Sequence, residues 1–159
     1  MGGVATGSVR ADNLIEAAKE FALTAAVASQ KPPHSAESWQ KIADLWQESI
    51  ERLSQIPFDN PGYLNAQTKL AEYQNNLGTT QIRLKAEKES VEAFNQAKSL
   101  FANFQTHLNS TSQNPGYALG LLQEIINQLE SVKPGTTVYP EAQKWLQSAR
   151  KKQKEWQKN

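Results

Sequence analysis

Proline fixes where this chain cannot be helical. The seven prolines fall at 32, 33, 57, 61, 115, 134 and 140. Inside a helix, each would remove a backbone donor and collide with the preceding turn. The stretches between them are rich in Ala, Gln, Leu, Lys and Glu and poor in β-branched runs. An all-α chain is therefore expected.

Apolar spacing assigns helices to those stretches. Asn13 with Glu16 resembles a capping box and is expected to open a first helix striped by Leu14, Ala18, Phe21, Ala25 and Ala28. Residues 1–11 show no packing pattern and are expected to form a disordered leader ahead of one domain, 12–158. Lys31-Pro32-Pro33 ends the first helix, because a pre-proline residue is pushed out of helical geometry. Ser35 is placed to cap a second helix carrying Trp39, Ile42, Trp46, Ile50 and Leu53, which Pro57 closes.

The tetrapeptide Asn-Pro-Gly-Tyr occurs at 60–63 and again at 114–117. Asn is a strong N-cap and Pro suits the first helical position, so both copies read as helix starts. One starts a helix with Tyr63, Ala66, Leu70, Tyr73, Leu77 and Leu84; the other, a helix with Ala118, Leu122, Ile125, Leu129 and Val132. A last helix begins near Tyr139-Pro140 and runs through Trp145, Leu146, Ala149 and Trp156. From Tyr63 to Leu108 there is no proline, and one helix of that length would extend about 70 Å. A turn is therefore expected at Lys85-Ala86-Glu87, with a separate helix bearing Val91, Phe94, Ala97, Phe101, Phe104 and Leu108. The expected fold is six helices in three antiparallel hairpins, near 12–56, 61–108 and 115–157.

An internal repeat lies at an offset of 76. Leu45, Gln47, Glu48, Ile50 and Leu53 recur as Leu121, Gln123, Glu124, Ile126 and Leu129. Tyr63, Ala66, Gln67 and Leu70 recur as Tyr139, Ala142, Gln143 and Leu146, giving nine identities in 26 ungapped positions. Ala18-Lys19 and Ala97-Lys98 sit at a similar offset. Stacked helical hairpins account for such a pattern.

Balanced charge, 17 basic against 16 acidic residues, argues against a nucleic-acid surface. Without cysteine there is no disulfide or thiolate chemistry. His34 and His107 lack a carboxylate or second histidine at ligand spacing, and no phosphate loop or nucleophile motif occurs. No catalysis, metal or cofactor is expected. Glu87 and Glu89, among lysines, read as solvated charge. Trp39 and Trp46, one heptad apart, read as core. Leu100 beside Phe101 and Phe104 widens that stripe and offers a surface for a dimer or partner contact. The basic C-terminus has two readings. Its cations complement a helix dipole, with Trp156 continuing the packed face; alternatively Arg150, Lys151, Lys152, Lys154 and Trp156 meet anionic lipid or an acidic partner.

Asn76-Leu77-Gly78, Ser90-Val91-Glu92-Ala93-Phe94 and Ala97 resemble a tetratricopeptide repeat over residues 71–104. Lys85-Ala86-Glu87 stands where that family has a Gly-Asp turn, and Ala102 where it has its closing Pro. The string from Trp46-Gln47 through Ile56-Pro57 to Asn76-Leu77 is similar to helical-repeat proteins common in cyanobacteria, some of which serve photosystem II assembly and repair at the thylakoid. The resemblance implies a right-handed superhelical stack and a non-catalytic scaffold or adaptor for another protein or peptide segment. It also implies a setting in the cytoplasm or at the thylakoid surface, on a membrane-protein complex. Carried onto the matching unit, the family's groove positions are Glu72, Asn75, Thr79, Ile82 and Arg83. Asn75 stands where the family places the lysine of its carboxylate clamp, which disfavours a chaperone-tail ligand.

Overall fold

The computed structural model describes the backbone of residues 2–158 and the side chains of residues 10–158. Five helices account for 80% of the chain, with no strand among the described residues, so the all-α class stands. They are α1 (Gly2–Ala28), α2 (Ala36–Ser54), α3 (Tyr63–Leu108), α4 (Pro115–Glu130) and α5 (Tyr139–Gln157). The chain divides into two compact units, Met1–Leu84 and Lys85–Asn159.

Two boundaries differ from expectation. Residues 2–11 are helical rather than a disordered leader, and Asn13 lies inside α1 instead of capping it. Nothing between Arg10 and Asn13 breaks a helix, and burial of Ala11 ties that turn to the core. The second difference is larger. No turn interrupts 85–87, and α3 runs unbroken for 46 residues, so five helices form instead of six. The segment 71–104 is thus one helix rather than helix–turn–helix, and no 61–108 hairpin exists. Lys85-Ala86-Glu87-Lys88-Glu89 contains only good helix formers, and Lys85 pairs with Glu89 one turn on, 3.7 Å away. The division between the units nevertheless falls at Leu84–Lys85, beside the expected turn.

Proline and its neighbours act as expected at three ends. Ser35 caps α2 by accepting the Ser38 N–H at 3.1 Å. Asn114 caps α4 by accepting the Tyr117 N–H at 3.1 Å, with Pro115 in the first turn. Pro140 likewise lies in the first turn of α5, although Val138 caps it without a side-chain bond. The other Asn-Pro-Gly-Tyr copy behaves differently. Asn60 accepts from the Gly62 N–H at 2.8 Å, making a tight turn, and helix begins only at Tyr63. The two copies also differ in what holds the asparagine: His107 accepts the Asn114 N–H at 2.8 Å.

Unit 1 packs α1, α2 and residues 63–84 around Ile15, Trp39, Ile42, Trp46, Leu53 and Tyr73. The buried stripe of α1 is Ala11, Ile15, Ala18, Ala22 and Ala25, while Leu14 and Phe21 lie at its margin and Ala28 is exposed. Small residues let α2 come close enough for buried Ser49 to donate to the Ala18 carbonyl at 2.6 Å. Arg52, paired with Glu48, lies over the Phe21 ring at 4.4 Å. Burial raises the Tyr73 hydroxyl above its usual pKa, and nearby Glu72 adds to the effect. Folding therefore favours the neutral phenol. Its contribution is complete below about pH 10 and is lost as pH rises through the elevated folded value. Tyr73→Phe is expected to flatten the alkaline limb of a stability–pH profile without altering the neutral region.

Unit 2 packs residues 85–108, α4 and α5 around Phe94, Phe104, Leu122, Ile125, Leu129 and Leu146. Aromatic rings interlock edge-on: Trp145 meets Phe94 at 5.6 Å and Phe101 at 5.3 Å, and Trp156 meets Phe104 at 6.0 Å. The repeat is visible in burial. Leu53 and Leu129, Ala66 and Ala142, and Ala18 and Ala97 are all fully buried. The recurring element is therefore three helical segments rather than a hairpin.

Glu87 overturns its reading as solvated charge. It is 1% exposed. Its carboxylate accepts the Thr137 N–H at 3.0 and 3.2 Å and also the Thr137 hydroxyl. One turn along, buried Ser90 accepts the Lys133 N–H at 3.0 Å. Glu89 is the exposed member of the pair, shared by Lys85 and Lys133. These bonds hold the 133–137 connection, whose Pro134-Gly135 turn places Gly135 at φ +82°, a region that suits glycine.

Candidate functional site

A cleft of about 410 Å³ opens in unit 1 where the end of α1, the turn after it, α2 and the Asn76–Arg83 stretch of α3 come together. Pro32 and Pro33 create it. By stopping α1, they leave only a turn to cover the Trp39 end of α2. Trp39 and Trp46 line the cleft floor while remaining 3% and 5% exposed, so they belong to the core as expected and also present edges to the cleft. His34 braces the first indole edge-on at 5.0 Å, with its Nε2 2.8 Å from the Gln30 carbonyl oxygen.

The polar rim comes from α3. Thr79 and Thr80 donate to the Asn75 and Asn76 carbonyls at 3.2 and 2.9 Å, leaving hydroxyl lone pairs available as acceptors. The Arg83 guanidinium lies over the Trp39 ring at 5.3 Å. The contact is a cation–π one, which sets the guanidinium beside the indole at the cleft. Among the described residues, no carboxylate lies within 4.0 Å of Arg83. The cleft lining contains no acid among the described residues. The site thus combines an aromatic floor, three hydroxyls, two amides and one cation.

Of the residues singled out from sequence, Thr79 and Arg83 line this cleft. Glu72, Asn75 and Ile82 are exposed on α3 outside the lining, and Asn76 takes the place expected of Asn75. Sequence reasoning missed Trp39 and Trp46 as cleft residues. The one sequence signal was the nearness of Trp39, six residues after the double proline; Trp46, thirteen residues after it, carried none.

The other candidate surfaces are partly committed elsewhere. Arg150 pairs with Glu130 at 2.8 Å, and Trp156 packs on Phe104, whereas Lys151 and Lys154 are exposed and Lys152 is half-buried. Phe104 is fully buried, and Leu100 and Phe101 pack partly against the same core, so Phe104 offers no surface to a second copy. Among the described residues, no cluster of three His, Cys, Asp or Glu side chains could hold a metal ion. No described helix is long and apolar enough to cross a membrane. No protein-family model matches the chain, and neither curated proteins nor solved structures yielded a similar protein.

Proposed function

We propose that this chain is a non-catalytic interaction domain whose unit 1 cleft receives a carboxylate-bearing segment of a partner protein. The observation that supports this reading most is Arg83, lying over the Trp39 ring in a cleft lined by no acid among the described residues. A guanidinium can offer two parallel N–H bonds to one carboxylate. Asn76 and the Thr79 and Thr80 hydroxyls supply donors and acceptors for peptide backbone, and the indole edges accept an apolar neighbour of the acid. Such a ligand is a short segment with Asp or Glu beside an aromatic or aliphatic residue. The photosynthetic setting rests only on the likeness of residues 46–77 and plays no part in this cleft chemistry.

The test is peptide display against the intact chain, followed by titration of the selected peptides with Arg83→Ala. Selected peptides should share an acid next to an apolar residue. They should lose about tenfold or more in affinity when Arg83 is truncated, the scale of one charge-assisted contact. Peptides without a shared acid, or equal binding by Arg83→Ala, would show that the cleft does not serve this role.

A further inference from the structure

A second cleft, confined to unit 2, has different chemistry. It measures about 260 Å³ and is walled by Phe101, Ile125, Trp145 and Ala149, with Lys144, Ser148 and Lys152 completing its lining. The five α5 residues, 144, 145, 148, 149 and 152, fall on one stripe of the helix. Phe101 and Trp145 meet edge-on at 5.3 Å, giving the cleft two aromatic walls at an angle. Neither lysine has a carboxylate within 4.0 Å among the described residues. The cleft therefore has an apolar interior and two ammonium groups without acidic partners, on flexible stems able to swing over its mouth.

We infer that this cleft binds a compact amphipathic organic anion, with its flat apolar body against Phe101 and Trp145 and its acid group at Lys144 and Lys152. The volume lies just below the roughly 300–1,000 Å³ of drug-sized sites, which limits the body to about two fused or linked rings. A neutral apolar molecule would gain the walls alone. A small inorganic anion would gain the lysines alone, in competition with water. Both parts of the site are used only when charge and apolar surface belong to one molecule. The inference is independent of the unit 1 reading, because no residue is shared between the two clefts.

Naphthalene-1-sulfonate, followed by its own fluorescence, is a suitable probe, and naphthalene is its uncharged counterpart. At about 0.15 M salt, where long-range attraction is damped, the sulfonate should saturate one site per chain. It should bind about tenfold more tightly than the neutral compound. Lys144→Gln/Lys152→Gln should remove about tenfold of that affinity. Lys151→Gln/Lys154→Gln, with the same net charge change on the same helix but outside the cleft, should leave it intact. Ser148→Phe, filling the cleft while keeping both lysines, should also weaken binding, and circular dichroism confirms that each variant is folded. Equal losses in the two lysine pairs, equal binding of charged and neutral probes, full binding by Ser148→Phe, or no saturable binding would each overturn the inference.

Discussion

Ala86→Pro is expected to destabilise the chain by about 3 kcal/mol or more, the cost of proline inside a helix. Ala86 lies well within α3, with more than five helical turns on either side. Proline there removes an N–H that bonds one turn back and forces its ring against the carbonyl of Ile82. The substitution discriminates sharply because a turn at 85–87, which the length of the Tyr63–Leu108 stretch suggests from sequence, would accept proline easily. Chemical denaturation followed by circular dichroism measures the difference. Ser112→Pro, in the exposed connection after α3, is the control and should cost less than about 1 kcal/mol. If Ala86→Pro were equally mild, α3 would have to be broken where it is continuous. Lys85→Gly is a graded companion, expected to cost about 1 kcal/mol through backbone entropy without loss of a hydrogen bond.

The same stretch shows which parts of this fold are legible in sequence. Periodicity found the main buried stripes of α2 and α4: Trp39, Ile42, Trp46, Ile50 and Leu53, then Ala118, Leu122, Ile125 and Leu129, with Val132 buried just past the end of α4. Those helices are bounded by prolines and caps, so local chemistry suffices. Continuity across Leu84–Lys85 is harder to read, because the favourable propensity of Lys-Ala-Glu-Lys-Glu has to be weighed against the unusual length of the helix. Propensity prevails where nothing local opposes it. On α1, the alanine-rich sequence supports neighbouring stripes almost equally. The choice of Ala11, Ile15, Ala18, Ala22 and Ala25 is made by tertiary fit, including the Ser49–Ala18 bond from another helix. The unit 1 cleft was half legible. Arg83 and Thr79 were named from a groove pattern, while the indole beneath Arg83 lies 44 residues earlier and becomes its neighbour only on folding.

Glu87→Ala is expected to cost about 3 kcal/mol, with the loss concentrated in unit 2. The native carboxylate takes two donors from Thr137, its N–H and its hydroxyl. Hydrogen bonds to a charged group contribute about 1.5–3 kcal/mol each, and truncation also leaves a cavity at a position that is 1% exposed. Glu87→Gln separates the terms. It keeps the volume and one acceptor oxygen, but turns an NH2 group toward donors, so a loss of about 1–2 kcal/mol is expected. Thr137→Val removes the hydroxyl alone. Combined with Glu87→Ala it should show a coupling of about 1 kcal/mol or more, as expected for directly bonded partners. Amide exchange at Thr137 gives a local reading: slow in the native chain, markedly faster in Glu87→Ala, and little changed in an exposed control such as Glu89→Ala. Unaltered exchange at Thr137 would mean that the bond does not hold the connection. Such a bond could not be read from sequence. A glutamate flanked by Lys85, Lys88 and Glu89 carries the pattern of a solvated helix face. Its burial is decided by a backbone N–H 50 residues away, which reaches it through the Lys133–Thr137 turn.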